Sequence, residues 1–554
     1  MIPIKLILQP GEDPIVREVE ECITLEELLK QYEGKLPYKV LAAKVDNRVR
    51  ELTRGLTEPC TVTFLDMRNP IAARIYQSGV IFIYLKAINE VLGNVRVEIQ
   101  NSLNKGVYTE IKTREPLLAA DVVKIQEKMK ELVQADIPFK RLVLTREEAF
   151  ELFADSNHEE KRRILRSEPD IDRVPVYSCN GFLNFFYNQM VPSTGYIQYF
   201  ELRKYRNGLL LRFPESAVPD KIPEFRDDRK LYQAFGKAKK WGNLMGISYV
   251  QDLNQKIESG EYKEIIQISE ALHEKKIALI ADEIIRNKKR IILISGPSSS
   301  GKTSFAKRLS IQLRVNGEKP LYIGTDDYFV ERHQTPLLPD GAPNFEDIEA
   351  LDIDLFNRNM NDLLSGKEVD LPTFDFFEGK KHYGTRITKI NSNQPIIIEG
   401  IHGLNKALTM ELDDETKFKI YISPLTQLNI DNHNRIPTTD ARFLRRIVRD
   451  HQFRGYEASR TIEQWKKVRD GEDRNIFPFN GEADILFNSA HIYELAVLKK
   501  YAEPMLLAID KEDPSYSEAV RLLRFLRFFH TIEDDSVIAN NSIIREFIGG
   551  SILV

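Results

Sequence analysis

The sequence predicts an α/β fold for the C-terminal half of the chain: a doubly wound parallel sheet behind a small β-grasp-like domain and a mixed α+β region. From residue 291 on, five apolar strand candidates alternate with helical stretches: RIILISG, KPLYIGTDD, QPIIIEG, FKIYIS and DILFNS. Near the start of the chain, short runs of alternating apolar and polar residues surround one helix candidate. Strands separated by helices favour parallel pairing, whereas alternation is typical of half-buried strands.

The first of the five strands leads into the pattern Gly-x-x-x-x-Gly-Lys-Thr, the phosphate-binding loop pattern. After it, Phe305, Leu309 and Leu313 recur at the spacing of one helix face. Glycines let the backbone approach phosphate oxygens, and a helix N-terminus attracts an anion. We therefore predict a site for ATP or GTP, with Lys302 on the outer phosphates and Thr303 on Mg²⁺. The predicted nucleotide-binding residues are Gly296, Pro297, Ser298, Ser299, Ser300, Gly301, Lys302, Thr303 and Ser304.

The composition of the chain excludes several classes of protein. Its 554 residues predict three or four domains, and its net charge of −4 argues against a global basic field for nucleic acid. Cys22, Cys60 and Cys179 lie far apart without a CxxC pair, which excludes a disulfide framework and a four-cysteine zinc site. No signal-peptide pattern is present and no apolar run approaches about 18 residues, so we expect a cytoplasmic protein without a membrane contact.

The order of the elements predicts five segments. Residues 1–66 form the β-grasp-like domain, with strands in IPIKLILQ, YKVLAAKVDNRVREL and CTVTFLD and a helix in TLEELLKQY. Residues 67–215 mix short strands with helices such as AARIYQSGVIFIYLKAINEVL. Residues 216–288 form a Pro-rich connector and a helical linker that is broken only at Ser259-Gly260. The parallel-sheet domain spans residues 289–500, and a C-terminal tail at 501–554 is expected to dock on the rest.

Acidic residues follow two of the predicted strands, at the edge of the sheet where its ligand should lie. Asp326 and Asp327 end the second strand, and Glu399 ends the third. An acid at this place can help to hold Mg²⁺, or it can accept a proton from an attacking hydroxyl. The alternative for each is a helix cap or a solvated turn residue. Because two neighbouring strands carry such acids, we favour a functional role.

A later helix candidate, DARFLRRIVRDHQFRGYEAS, is rich in arginine. Guanidinium groups suit the negative charge that spreads over a phosphoryl group during transfer. The alternative is an exposed helix with ordinary surface charges, but the phosphate loop in the same domain favours the first interpretation. The arginines of this helix and its end are Arg442, Arg445, Arg446, Arg449 and Arg454, of which Arg442, Arg446 and Arg449 share one face.

Seven short motifs in this order resemble those of uridine kinases and their relative phosphoribulokinase: GPSSSGKTS, TDDYF, NFEDIEALD, LPTFDF, IIIEGI, RRIVRD and QW. The resemblance covers roughly residues 290–490 and implies a kinase that uses ATP and Mg²⁺. It implies that Asp326 deprotonates a nucleoside 5′-hydroxyl and that Thr303 and Glu399 ligate Mg²⁺. Arg446 and Arg449 match arginines that contact the phosphates and the transition state.

The same resemblance implies the residues that bind the acceptor. Glu346 falls where the family holds ribose hydroxyls, and Arg454 and Gln464 fall in the segment that closes on the nucleoside. The pyrimidine-reading tyrosine of the family is replaced by Phe374, and the histidine by Gly379, with His382 three positions further on. Stacking on a base is kept by Phe374, whereas a hydrogen bond to the base is lost, which leaves the choice of base open.

Two resemblances cover the front half. Residues 1–66 resemble a TGS domain, and residues from about 70 to 215 resemble the second domain of threonyl-tRNA synthetases, on LTREEAFELF and VYSCNGFLNFFYNQMVPSTGYIQYFEL. In the synthetases this domain holds a His-x-x-x-His pair with a further Cys and His for metal-assisted editing. Here the matching helix has no histidine and only Cys179 remains, so we expect a scaffold without editing activity.

The sequence thus predicts an ATP- and Mg²⁺-dependent nucleoside kinase fused behind these two domains, in which Asp326, Lys302, Arg446 and Arg449 act in catalysis. Asp326 is counted with Thr303 and Glu399 among the magnesium ligands. We expect a homo-oligomer, with RNA contact through the N-terminal half as a further partner. One alternative is a phosphoribulokinase-like or other small-molecule kinase. The other is an RNA-binding regulator that uses the phosphate loop as a nucleotide switch.

Overall fold

The computed structural model describes residues 1–32, 34–154, 156–167, 172–338, 341–426 and 428–554. The first part of the chain is a five-stranded sheet with one helix. Its strand order is β2-β1-β5-β3-β4, with β1 parallel to β5, as the β-grasp-like pattern predicts. Thr24 caps the helix by accepting a hydrogen bond from the backbone N–H of Glu27. The elements are β1 (Ile2–Ile7), β2 (Ile15–Val19), α1 (Leu25–Lys30), β3 (Val40–Val45), β4 (Arg48–Arg50) and β5 (Cys60–Asp66).

The next part combines two antiparallel sheets, ordered β11-β12-β7-β6 and β10-β9-β8, with four helices. Its longest helix, α2, is apolar on most sides and packs inside the core of this part. Within the described ranges, α2 alone has the length and composition to cross a membrane, but 78% of its most apolar window is buried in the protein. The elements are α2 (Pro70–Leu92), β6 (Arg96–Leu103), β7 (Gly106–Lys112), α3 (Ala119–Gln134), β8 (Lys140–Thr145), α4 (Arg146–Leu152), α5 (Glu159–Ser167), β9 (Arg173–Cys179), β10 (Phe182–Asn184), β11 (Glu201–Tyr205) and β12 (Gly208–Arg212).

Three helices connect this part to the parallel sheet. They are α6 (Arg229–Leu244), α7 (Val250–Glu258) and α8 (Tyr262–Arg286). The predicted break between α7 and α8 is confirmed, and Gly260 adopts a φ of +78° there, a conformation that glycine accommodates without strain. The first helix, α6, was not predicted as an element, and the basic stretch GKAKKWG lies on it.

The C-terminal half contains a five-stranded, fully parallel sheet with the order β14-β19-β13-β20-β21. All five strand candidates of the sequence are confirmed. The elements of this half are β13 (Ile291–Ser295), α9 (Lys302–Val315), β14 (Leu321–Gly324), α10 (Ile353–Leu364), β15 (Val369–Asp370), β16 (Thr373–Asp375), β17 (Lys380–His382), β18 (Ile387–Thr388), β19 (Ile396–Glu399), β20 (Lys417–Ser423), α11 (Thr438–Arg454), α12 (Ala458–Asn475), β21 (Ile485–Asn488), α13 (Glu494–Leu507), α14 (Tyr516–Leu526) and α15 (Arg545–Ile548).

Both faces of this sheet are covered, because successive residues of a strand point to opposite sides. Ile291 and Leu293 pack in one cluster with residues of α10, whereas Ile292 and Ile294 pack in another with residues of α8 and α9. Burial on both faces explains why the strands are continuous apolar runs. The second cluster also contains Phe547 of the C-terminal tail, so the predicted docking of the tail is confirmed.

The largest hydrophobic cluster crosses the predicted domain limits. It joins residues such as Phe153 and Val176 to Ile447 of α11 and Phe525 of α14. A core of this kind ties the region before residue 215 to the C-terminal half. The predicted domain limits at residues 66, 215, 288 and 500 stay a prediction. The hydrophobic packing is continuous across the limits at residues 215 and 500.

Candidate active site

The phosphate loop links β13 to α9 at the carboxyl edge of the parallel sheet. Gly301 has a φ of +83° and Ser299 a φ of 58°, so the loop turns through the left-handed region twice. A Cβ at Gly296 would lie 2.1 Å from the carbonyl oxygen of Ile422, which makes glycine obligatory at this point. The hydroxyls of Ser299 and Ser300 are buried and have no hydrogen-bond partner among the described residues. The loop thus offers unused donors, as a phosphate cradle requires.

Glu472 supports the loop from α12 and was not predicted from the sequence. Its carboxylate is fully buried and accepts a hydrogen bond of 2.9 Å from the backbone N–H of Ser298. Arg442 donates to the same carboxylate at 2.8 Å and to the carbonyl oxygen of Ser298 at 3.1 Å. Arg442 is therefore a buried support of the loop. A single acid on a polar helix carries no sequence pattern, so only the fold could reveal Glu472.

The predicted acids meet the loop at the ends of β14 and β19. These strands are neighbours, and Gly324 pairs with Glu399 in the register. Glu399 accepts hydrogen bonds from the hydroxyl of Thr303 at 3.2 Å and from that of Tyr322 at 3.0 Å. Thr303, Glu399 and Asp326 thus present hydroxyl and carboxylate oxygens, the ligands that Mg²⁺ prefers. The chemistry of this donor set fits a magnesium ion.

Asp326 differs electrostatically from its neighbour Asp327. The side chain of Asp326 is exposed at the mouth of the cleft. The protein packed around it, followed by the negative charge of Glu399, raises the pKa of Asp326 to about 6, although the positive charge of Lys302 opposes the change. Asp327 instead accepts a hydrogen bond from Arg386 at 2.5 Å. A carboxylate with a pKa near 6 can still accept a proton at neutral pH, which suits a general base.

Three arginines of α11 converge on one further acid that the sequence did not single out, whereas the buried Arg445 forms an ion pair with Glu494 at 2.6 Å. Asp450 is fully buried and forms ion pairs with Arg446 at 3.2 Å, Arg449 at 2.8 Å and Arg454 at 3.4 Å. Arg446 also donates to the hydroxyl of Ser298 in the phosphate loop at 2.8 Å. The helix is largely buried, so the alternative of an exposed, solvated helix is wrong. The signal for Asp450 was present in RRIVRD, four residues after Arg446.

The residues predicted to bind the acceptor lie in three different environments: Glu346 is packed against α12, Arg454 lies near Asp326, and Gln464 is partly buried on α12. Glu346 packs against Gly471 of α12: a Cβ added at Gly471 would lie 2.7 Å from the Cβ of Glu346. Burial, then repulsion by Glu472, raises the pKa of Glu346 to about 7. Arg454 contributes to the field at Asp326, so it lies near the predicted base. Gln464 is partly buried on α12 and makes no hydrogen bond with the described residues.

The pKa of Glu346 predicts a pH-dependent stability. The folded protein keeps this proton from about pH 4.5 to about 7, where the unfolded chain has released it. The free energy of unfolding should therefore fall as pH rises through this window, by on the order of 2–3 kcal/mol. Glu346→Gln removes the titration, so urea denaturation should find the variant as stable as wild type near pH 4.5 and more stable at about pH 8.

The exposed Glu349→Gln serves as the control for this measurement, because its side chain makes no ion pair in the described structure. It should follow the wild-type pH dependence. If Glu346→Gln also followed it, the raised pKa of Glu346 would be refuted.

Phe374 lies in an aromatic cluster with Phe329 and Phe376, at centroid distances of 5.7 and 5.1 Å. The position of the expected histidine, Gly379, faces Arg332, whose Nε would lie 2.8 Å from a Cβ at residue 379. Arg332 also donates to the carbonyl oxygen of Phe376 at 2.7 Å. The guanidinium of Arg332 therefore lies beside Gly379, the position at which the resemblance predicts that the polar base-reading histidine is lost.

A carboxylate of the C-terminal tail lies at the N-terminus of α9. One oxygen of Glu546 accepts hydrogen bonds from the backbone N–H of Ser304 at 3.1 Å and from its hydroxyl at 2.7 Å. Ile543 lies so close that a Cβ at Gly301 would come within 2.4 Å of it. A helix N-terminus favours an anion. Glu546 thus takes up donors of Ser304, which the sequence predicted to bind nucleotide.

Cys179, the remaining residue of the predicted metal set in the front half, lies in the hydrophobic core. Its side chain is fully buried, and burial raises the pKa of its thiol to about 11. A buried neutral thiol is a poor zinc ligand. The expectation of a scaffold without editing activity stays a prediction.

The phosphate loop, the acids at the strand ends and the arginine helix are typical of a P-loop kinase, and comparison with known proteins agrees with this class. Residues 291–496 match the family model "Phosphoribulokinase / Uridine kinase family". The matched range begins at β13 and ends within α13, so it contains the phosphate loop, the acids and the arginine helix. The C-terminal half therefore carries a P-loop kinase domain of this family, and the recognition made from the ordered motifs is confirmed.

The N-terminal half is similar to threonine–tRNA ligases. The similarity is 26% identity over 199 residues with the enzyme of Acetivibrio thermocellus, covering 36% of this chain and 31% of the relative. It is 28% over 190 residues with that of Symbiobacterium thermophilum, covering 34% and 29%. The chain thus spans about a third of the length of these relatives. This finding agrees with a TGS domain followed by a synthetase-like domain.

Among solved structures, one titled as a possible uridine kinase from Bacillus stearothermophilus is similar to this protein, and the matched region covers 38% of this chain and 97% of the other. The sequence identity is 21% and the TM-score 0.26.

Proposed function

We propose that this protein is an ATP- and Mg²⁺-dependent kinase that transfers the γ-phosphate of ATP to the 5′-hydroxyl of a nucleoside. One observation carries the proposal. Glu399 ends one strand and contacts Thr303 at the start of α9. Asp326 follows the neighbouring strand, within the field of Glu399 and Lys302, and Arg446 reaches the phosphate loop through Ser298. A proton acceptor, cation ligands and a mobile positive charge beside one phosphate cradle are the components that phosphoryl transfer requires.

The proposed reaction uses these residues in turn. Asp326 accepts the proton of the acceptor hydroxyl, whose oxygen forms a bond to the γ-phosphorus as the bond from that phosphorus to the ADP oxygen breaks. Lys302 and Arg446 neutralise the charge of the transferring phosphoryl group. Arg449 joins them after exchanging its ion pair with Asp450 for a phosphate oxygen. Thr303, Glu399 and Asp326 would hold Mg²⁺, which supplies further positive charge to the phosphate oxygens.

A panel of acceptors tests this function. ADP release with Mg-ATP is measured against ribonucleosides, deoxyribonucleosides and ribulose 5-phosphate, with Lys302→Ala as the blank. One nucleoside that yields its 5′-monophosphate stoichiometrically is the expected result. If no acceptor reacts while ATP still binds, the proposal is wrong, and the nucleotide-switch alternative with RNA as its partner becomes the better explanation.

A phosphorylated sugar is the second candidate acceptor, and Arg332 favours it. Its guanidinium is exposed beside Gly379, at the position where the family resemblance places a base-reading residue. Guanidinium binds phosphate through paired hydrogen bonds. Turnover of ribulose 5-phosphate without turnover of any nucleoside would select this candidate. We also propose that the protein is cytoplasmic, forms a homo-oligomer and contacts RNA, whichever acceptor it uses.

The contact of Glu546 with Ser304 predicts a variant that binds nucleotide more tightly. Wild-type protein must displace this carboxylate before a phosphate can use the same donors. Glu546→Gln removes the negative charge, so we expect the Kd of ATP to fall by about three- to tenfold. Isothermal titration measures the change, with Glu533→Gln, an exposed acid of the same tail, as the control. An unchanged or higher Kd in Glu546→Gln would contradict the predicted competition.

A further inference from the structure

Arginines line a cavity of about 210 Å³. No residue of the phosphate loop belongs to its described lining. They come from four places in the chain: β4, the turn that follows it, β8, and the end of α14 with the turn after it. Glu51 is the one acid in the described lining, so the lining carries a net charge of +4. The arginines are Arg50, Arg54, Arg141, Arg524 and Arg527.

Four of these arginines lack a paired counter-charge. Within the described ranges, no ion pair and no side-chain hydrogen bond is formed by Arg50, Arg54, Arg141 or Arg524. Glu51 offsets only one of these charges: its negative charge acts on Arg524, so these four arginines together with Glu51 keep a net charge of +3. Unpaired guanidinium groups gathered around one cavity repel each other. An anion of matching charge would relieve this repulsion.

Two arginines of a neighbouring cavity differ from these, because they have a buried counter-charge. Arg74 and Arg521 line a neighbouring cavity of about 240 Å³, and both form ion pairs with the buried Asp440, at 2.7 and 2.8 Å. The two cavities share Arg50 and Arg524. Burial, followed by the charges of neighbouring arginines, lowers the pKa of Arg50, and burial is also the main cause of the lowered pKa of Arg524. Both side chains stay protonated at neutral pH because arginine is so strongly basic.

We propose that this arginine cavity is a binding site for a small molecule with two or more phosphate groups. Guanidinium forms paired hydrogen bonds with phosphate, and a net charge of +3 on these groups exceeds what a single phosphate can neutralise. The groups converge on a cavity instead of forming a stripe along the surface, and the chain as a whole carries a net charge of −4. Both features favour a compact polyphosphate over a nucleic acid, which requires an extended basic surface. The site is separate from the phosphate loop and independent of the proposed reaction.

Binding of inorganic tripolyphosphate to the full chain tests this inference. The titration uses Lys302→Ala as the background, so that the phosphate loop contributes little. The double substitution Arg54→Gln and Arg141→Gln is then added, because both residues are exposed and their loss should leave the melting temperature unchanged. We expect saturable binding in the background that weakens about tenfold or more in the arginine variant.

Arg114→Gln is the matched control, since Arg114 is exposed and outside the cavity lining. Its binding should equal that of the background. Pyrophosphate, ATP and GTP form further arms that separate an inorganic polyphosphate from a nucleotide. The inference would be overturned if tripolyphosphate failed to bind, or if it bound equally well to the arginine variant. Binding of a mixed-sequence RNA without binding of any small phosphate would overturn it too.

Discussion

Asp326→Asn is expected to lower kcat by about 10²–10⁴-fold while it changes the Kd of ATP by no more than about threefold. The amide keeps the size of the side chain but cannot accept the proton of the acceptor hydroxyl. The effect should be large because Asp326 follows β14 and lies close to both Glu399 and Lys302, where a proton acceptor is needed beside the phosphate loop. Single-turnover kinetics and ATP titration measure the two quantities separately.

The pH profile gives a second readout of the same residue. A base must be ionised to act, so the rate of the wild-type protein should rise with pH up to about 6 and level off above it. A magnesium ion bound beside Asp326 would move this limb to lower pH. Asp327→Asn is the control, because that carboxylate pairs with Arg386 instead. Equal losses of kcat and ATP affinity in Asp326→Asn would refute its role as the base and leave Asp326 as a ligand alone or as a structural acid.

Lys302→Ala should reduce kcat/KM by about 10²–10³-fold or more, with the fold intact. The only hydrogen bond of Lys302 to the described part of the protein runs at 3.4 Å to the carbonyl oxygen of Pro297, so its removal leaves no buried group unpaired. The unfolding free energy should stay within about 0.5 kcal/mol of wild type. What the substitution removes is positive charge beside the outer phosphates.

Coupled measurements of ADP release and of urea unfolding test this expectation. Lys319→Ala, an exposed lysine beyond α9, should retain full activity. Full turnover by Lys302→Ala would refute the phosphate-loop interpretation itself. A loss of stability beyond about 2 kcal/mol would instead show that Lys302 supports the structure.

The parallel sheet and its loop could be predicted from the sequence because their signals are local. Strands buried on both faces are continuous apolar runs, and the glycines and the lysine of the phosphate loop lie within a few residues of one strand. The same holds for Asp326 and Glu399, since an acid at the end of a strand has a known place in a parallel sheet. The helix α6 was missed, because it follows a Pro-rich, charged stretch and is itself mostly polar.

The amino-acid sequence by itself determined the class of fold, the phosphate loop and the residue types at the strand ends. Only the tertiary structure decided how these groups are supported and controlled. Glu472 holds Ser298 and Glu546 takes up the donors of Ser304, both from distant positions in the chain, whereas Asp450 pairs with Arg446, Arg449 and Arg454 of its own helix. A single acid has no periodicity to reveal it. Its partner is set by the packing of helices over the sheet, which brings together residues that local sequence cannot connect.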